Sequence, residues 1–149
     1  MPDDTTRVVG IGHQVSRGVK AGAVVDMDLA EESLRAAVEA AERMAGEPVR
    51  EVHVAMSAGR PASHIVGVEV AVAGHAIGDS DLRRVLQQGR PEDDDPEREV
   101  LHSIPLGFTI DGSSGVRDPR GMYGARLGVD INVVTVSSGP LRNLSLCVE

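Results

Sequence analysis

The 149-residue sequence has no tryptophan, one phenylalanine, one tyrosine and one cysteine. With so few aromatics the core falls to Val, Ile, Leu, Ala and Met, and the stacking platforms that bind single-stranded nucleic acid are missing. A lone cysteine, Cys147, excludes an internal disulfide framework and a multi-cysteine zinc site. Long apolar runs are also absent: none approaches the roughly 18 residues of a membrane-spanning helix. The opening residues, Met1-Pro2-Asp3-Asp4-Thr5-Thr6-Arg7, lack the basic and apolar regions of a signal peptide, so a cytoplasmic chain with no direct membrane insertion is expected. Positive charge is scarce, 15 Lys and Arg against 23 Asp and Glu. A net charge of −8 argues against a duplex-binding protein, whose phosphate contacts need a basic face.

What is present is ordinary for a globular chain: 41% hydrophobic and 26% charged residues. The length suits one domain or two very small ones. Residues 7–12 (RVVGIG) form a short apolar run closed by glycine, read as a buried strand. Residues 16–22 read as a polar loop. Asp28 with Glu31 resembles a capping box, and Leu34, Ala37, Val38, Ala41, Met44 and Ala45 make one apolar stripe, predicting a helix that Gly46 and Pro48 end. Val52, Val54 and Met56 alternate through 49–58, a second strand, which a crossover helix would pair with the first. After a break at 59–61, residues 63–73 alternate as a strand and 79–88 form a short helix with Leu82, Val85 and Leu86 buried. The charged stretch 90–98, with Glu92-Asp93-Asp94-Asp95, reads as a solvated loop. Residues 99–111 are strand-like, with Pro105 forced to a bulge or an edge. Residues 112–124, with four glycines and a proline, predict an ordered, turn-rich excursion whose Met122 tucks back onto the sheet. Residues 125–137 are the last strand, and 140–149 the first turns of a helix begun at Pro140. The core of residues 61–138 is assigned to Val66, Val68, Val70, Val72, Leu82, Val85, Leu86, Ile104, Phe108, Ile110, Leu127, Val129, Ile131 and Val133.

No catalytic constellation emerges. Gly10-Ile11-Gly12 lacks the third glycine of a dinucleotide loop, position 15 being Val15, and no Walker sequence occurs. His13, His53, His64, His75 and His102 have no zinc-ligand spacing. The acidic run lacks the spacing of a calcium loop. Cys147 reads as a buried, inert thiol. Ser57 and Ser103 lack a nucleophile-elbow setting.

Three stretches carry a resemblance. Ser16-Arg17-Gly18-Val19-Lys20-Ala21-Gly22-Ala23-Val24-Val25-Asp26 is similar to an SRGxxxGxVxD segment. Val52-His53-Val54-Ala55-Met56-Ser57-Ala58-Gly59 is similar to a strand leaving the same subdomain. Leu101-His102-Ser103-Ile104-Pro105, Phe108, Ile110-Asp111-Gly112, Gly115-Val116-Arg117-Asp118-Pro119-Arg120-Gly121-Met122 and Val133-Val134-Thr135 follow the pattern LHxIPxxFxIDGxxGIxDPxGMxG…VT. Together they resemble the FtsA family of bacterial cell-division proteins, which are actin-like ATPases.

The resemblance implies an α+β fold. Residues 1–59 would be an incomplete actin-like (ribonuclease H-like) subdomain 1A, 60–138 a strand–helix–strand–strand (SHS2) subdomain 1C, and 139–149 the start of a helix returning to 1A. It implies an interaction module that self-associates and recruits division proteins, among them FtsN-like cytoplasmic tails, at the inner face of the membrane at the septum. Gly112, Gly115, Asp118, Pro119, Gly121 and Met122 are the candidate interaction residues. The family's phosphate loops and its FtsZ-binding subdomain match nothing in these residues. Neither catalysis nor a bound cofactor is therefore expected of them, ATP belonging to the intact family member and FtsZ to regions outside this sequence. The alternatives are a nucleotide-binding fragment of an actin-like ATPase, or a related pilus-assembly actin-like protein.

Overall fold

A computed structural model of the chain describes residues 5–90 and 95–149. The chain divides into two compact units, Arg60–Ser138 and Met1–Gly59 with Gly139–Glu149. The secondary structure is α+β.

Unit Arg60–Ser138 is a four-stranded antiparallel sheet with one helix. Its elements are β3 (Ala62–Ala71), α2 (Asp79–Gln88), β4 (Arg98–Ile110), β5 (Ser113–Val116) and β6 (Arg126–Ser137). The strand order is β3-β6-β4-β5, so the last strand in sequence is central. Burial follows from that position: Leu127, Val129, Ile131 and Val133 of β6 are all at 2% exposure or less. They face the same side as Val66, Val68 and Val70 of β3, their cross-strand neighbours. The helix supplies Val85, fully buried, with Leu82 and Leu86 packed beside it.

Three expectations for this unit need correction, and one core residue was not anticipated. Ile104 is 52% exposed rather than in the core. A bulge between Pro105 and Gly107 interrupts the alternation that Phe108 and Ile110 begin. Pro105 therefore pairs with the core residue Ile131, and Ile104 pairs with Asn132 on the opposite face. The excursion 112–124 contains an additional strand, β5, paired with the end of β4. Met122 is 43% exposed and does not tuck onto the sheet. Ile77 joins the core at 2% exposure although it precedes the helix. It stands just before the cap residue Gly78, the position from which an apolar side chain staples a helix start.

The other unit contains a hairpin, β1 (Val19–Lys20) and β2 (Ala23–Val24), and two helices, α1 (Met27–Ala45) and α3 (Ser138–Val148), the latter entering from Ser138. The hairpin replaces the predicted loop. Its two-residue turn, Ala21 at φ 50 and Gly22 at φ 80, has the left-handed geometry that matches strand twist. Helix α1 is capped by Asp26, not Asp28: the Asp26 side chain accepts from the Leu29 N–H at 3.1 Å. Gly46, at φ 77, ends it as expected. Helix α3 starts two residues before Pro140, which the first turn tolerates because its N–H would have no helical partner there.

Residues 7–12 and 49–58 are not strands. Neither segment has a ladder partner among the described residues, and a strand exists only through pairing. Residues 7–12 instead run against α1. A Cβ on Gly12 would overlap the Ala37 carbonyl oxygen, and one on Gly10 that of Ala41. Only glycine permits this approach to the alanine face of the helix. The remaining apolar positions are poorly covered: Leu34 and Val38 are exposed, as are Val52, Val54 and Met44. Among the described residues, this unit's buried apolar side chains are Ala30 and Cys147.

Candidate docking loop

The candidate residues lie between β4 and β6, in an ordered excursion that includes the edge strand β5. Asp111, at φ 47, opens it and also closes it. Its carboxylate accepts from the backbone N–H groups of Ala125 (3.0 Å) and Arg126 (2.9 Å), tying the two ends together. Gly112 and Gly115 turn the chain around β5 at φ 84 and 83.

Pro119 is the anchor and is fully buried. On either side of it Asp118 and Arg120 form a tight fork. Asp118 accepts from the Arg120 backbone N–H at 3.1 Å and from the guanidinium at 2.8 and 2.9 Å. Donation from Arg120 holds the Asp118 carboxyl down at about 2 and pushes the Arg120 guanidinium up. Arg120 also reaches Asp79 in the first turn of α2, 3.5 Å away. The backbone completes the attachment: Gly121 donates to the Ile77 carbonyl and Ile77 donates to the Met122 carbonyl, both at 2.8 Å. Gly121 has φ 82.

The outcome is an ordered loop with a buried anchor, Pro119, and two exposed side chains, Met122 and Tyr123, near its C-terminal end. Gly112, Gly115, Asp118, Gly121 and Met122 are at the surface and Pro119 is beneath them. Tyr123, next to Met122, is 77% exposed. Sequence reasoning did not single out Tyr123, though its rarity in this chain was a usable signal. It also missed the outer face of the sheet, where Ile65, Ile104 and Leu106 are 64%, 52% and 57% exposed. Among the described residues no three His, Cys, Asp or Glu side chains gather to hold a metal ion. Among the described residues no helix is long and apolar enough to cross a membrane. Cys147 is buried, and its burial, with the charge of Glu31, pushes its thiol up.

A family model described as "SHS2 domain inserted in FTSA" matches residues 58–135, a span that contains the whole loop. The chain belongs to the FtsA family. It is 48% identical over 142 residues to the cell division protein FtsA of Agrobacterium fabrum, covering 95% of this chain and 32% of that relative. Against FtsA of Bacillus subtilis it is 34% identical over 151 residues, covering 100% of this chain and 34% of the relative. FtsA of Pseudomonas aeruginosa is 32% identical over 147 residues, with 99% and 35% covered. The chain thus spans about a third of the length of these FtsA relatives. The matched span covers β3, α2, β4, β5 and most of β6.

Proposed function

We propose that this chain supplies a protein-docking module to bacterial cell division. The loop 112–124 is its contact surface, and it serves both self-association and the recruitment of basic cytoplasmic tails of the FtsN kind. The observation that carries this reading is the exposed pair Met122 and Tyr123 on a loop fixed by buried Pro119. Tyrosine and methionine contribute disproportionately to protein interfaces. A loop already held in place loses little conformational entropy on docking. The net charge of −8 suits a basic partner, raising its association rate through complementary fields.

In this reading the chain works at the inner face of the membrane at the septum. It takes no part in ATP chemistry or FtsZ binding through these residues. Mg-ATP is therefore expected to leave the melting temperature unchanged, since a ligand stabilises only a fold that binds it. The reading is tested by calorimetry with a basic tail peptide. Tyr123→Ala should weaken binding at least tenfold, the loss of about 1.4 kcal/mol, and leave melting unaltered. Equal affinity for parent and variant would refute the assignment of the loop.

A further inference from the structure

The segment that carries the loop is itself held by a histidine. Residues 72–78 connect β3 to α2, and Ile77 in that segment makes both backbone hydrogen bonds to Gly121 and Met122. His75 bonds within the segment and ties it to α2. Its Nδ1 lies 3.1 Å from the Ala73 carbonyl and its Nε2 lies 3.1 Å from Asp81 Oδ2. Both neighbours are acceptors. A neutral imidazole has one N–H and satisfies one of them; an imidazolium donates to both.

Asp81 is the fixed end of this arrangement. It is 4% exposed on α2, accepts from the Gly78 N–H at 3.1 Å, and receives Arg84 on its other oxygen at 3.2 Å. Arg84 also donates to the Ala71 carbonyl. Gly78 has no side chain to cap α2, so the helix start depends on Asp81. The charged groups that act on the ring are Asp81, which favours its protonation, and Arg84, which opposes it. Of the loop's charges Arg117, Asp118 and Arg120, the last two are engaged with each other, and Arg120 also with Asp79.

We propose that protonation of His75 tightens residues 72–78 and, through Ile77, the Gly121–Met122 end of the loop, making its presentation proton-linked. This rests on the docking reading for its biological use, but its physical content concerns the loop alone. The sign follows from the geometry. The ring gains acceptors on folding, and these raise its pKa above the ordinary value of 6.5. The stabilisation is full below that ordinary value and is lost as pH rises through the folded-state pKa.

Amide hydrogen exchange between about pH 5.5 and about pH 8, either side of the ordinary histidine pKa, tests the proposal. After correction for intrinsic rates, protection at Gly121 and Ile77 should fall several-fold across that range, while Val129 in the central strand stays constant. His75→Gln should flatten the Gly121 profile. An NMR titration of the His75 ring in the unaltered chain should give a midpoint above 6.5. A flat profile in the parent, an unchanged profile in His75→Gln, or a midpoint at or below the ordinary value overturns the proposal. Tyr123→Ala leaves the His75 contacts in place, so its exchange profile should match the parent's. Loss of the docking reading would therefore leave this result standing.

Discussion

The backbone N–H of Ile77 donates to the Met122 carbonyl at 2.8 Å, and Ile77 itself is buried at 2% exposure. A core residue before α2 therefore fixes the C-terminal end of a loop that begins more than thirty positions later in the chain. The return bond comes from Gly121, whose φ of 82 allows its N–H to face the Ile77 carbonyl. Nothing stands within 4 Å of a Cβ built on Gly121. The cost of a side chain there is backbone strain alone, about 1–3 kcal/mol for a β-branched residue. Gly121→Val should lower the melting temperature and weaken docking. An unshifted melting temperature would show that the turn relaxes without loss.

The Asp118–Arg120 fork makes a prediction about pH. The Asp118 carboxyl is held at about 2. Its contribution to loop order is complete above the ordinary carboxylate pKa and is lost as pH falls through about 2. NMR titration should find Asp118 near that value in the parent. In Arg120→Gln it should move back toward the ordinary aspartate value of about 3.9. Matching midpoints in the two proteins would contradict the fork.

Gly12 makes a prediction about the other unit. Its α-carbon lies so close to the Ala37 carbonyl that a methyl group would overlap backbone, which cannot rotate away. Gly12→Ala should therefore push residues 7–12 off α1 and cost about 1–3 kcal/mol, the usual range for overpacking. Exposure of residues 7–12 to limited proteolysis would report the displacement. Proteolysis identical to the parent's would rule it out.

The two units should also differ in stability. The sheet unit owns Leu127, Val129, Ile131 and Val133, whereas the described residues of the other unit bury Ala30 and Cys147. Amides of α1 should exchange through opening events of lower free energy than those of β6. Leu127→Ala should cost about 2–5 kcal/mol, while Leu34→Ala, at an exposed position, should cost less than 1 kcal/mol. Equal protection across α1 and β6 would contradict the contrast.

Much of the sheet unit was legible because its signals are local. Alternation in 63–73 and 125–137 marked β3 and β6, and the stripe Leu82, Val85 and Leu86 marked α2. Ile104 was misread because alternation alone does not reveal a bulge, although Pro105 announced an irregularity. The strands expected at 7–12 and 49–58 failed for a different reason. Apolar alternation describes a strand's side chains, but pairing needs a neighbour, and none stands beside them among the described residues. The acidic run Glu92–Asp94 lies outside the described residues, so only Asp95 is placed: it accepts from the Glu97 N–H at 2.9 Å. At the candidate site, glycine spacing and the Asp-Pro pair identified the loop. Its attachment through Ile77, Arg120 and Asp79 is tertiary and left no periodic trace.

The most direct test of the account is an amide-resolved NMR titration of the isotope-labelled chain, first with a basic cytoplasmic tail peptide and then with an unlabelled second copy. The account predicts saturable shifts centred on residues 118–124 that Tyr123→Ala abolishes while the remaining spectrum is preserved. Saturable shifts confined to other surfaces, with residues 118–124 unmoved, would contradict it.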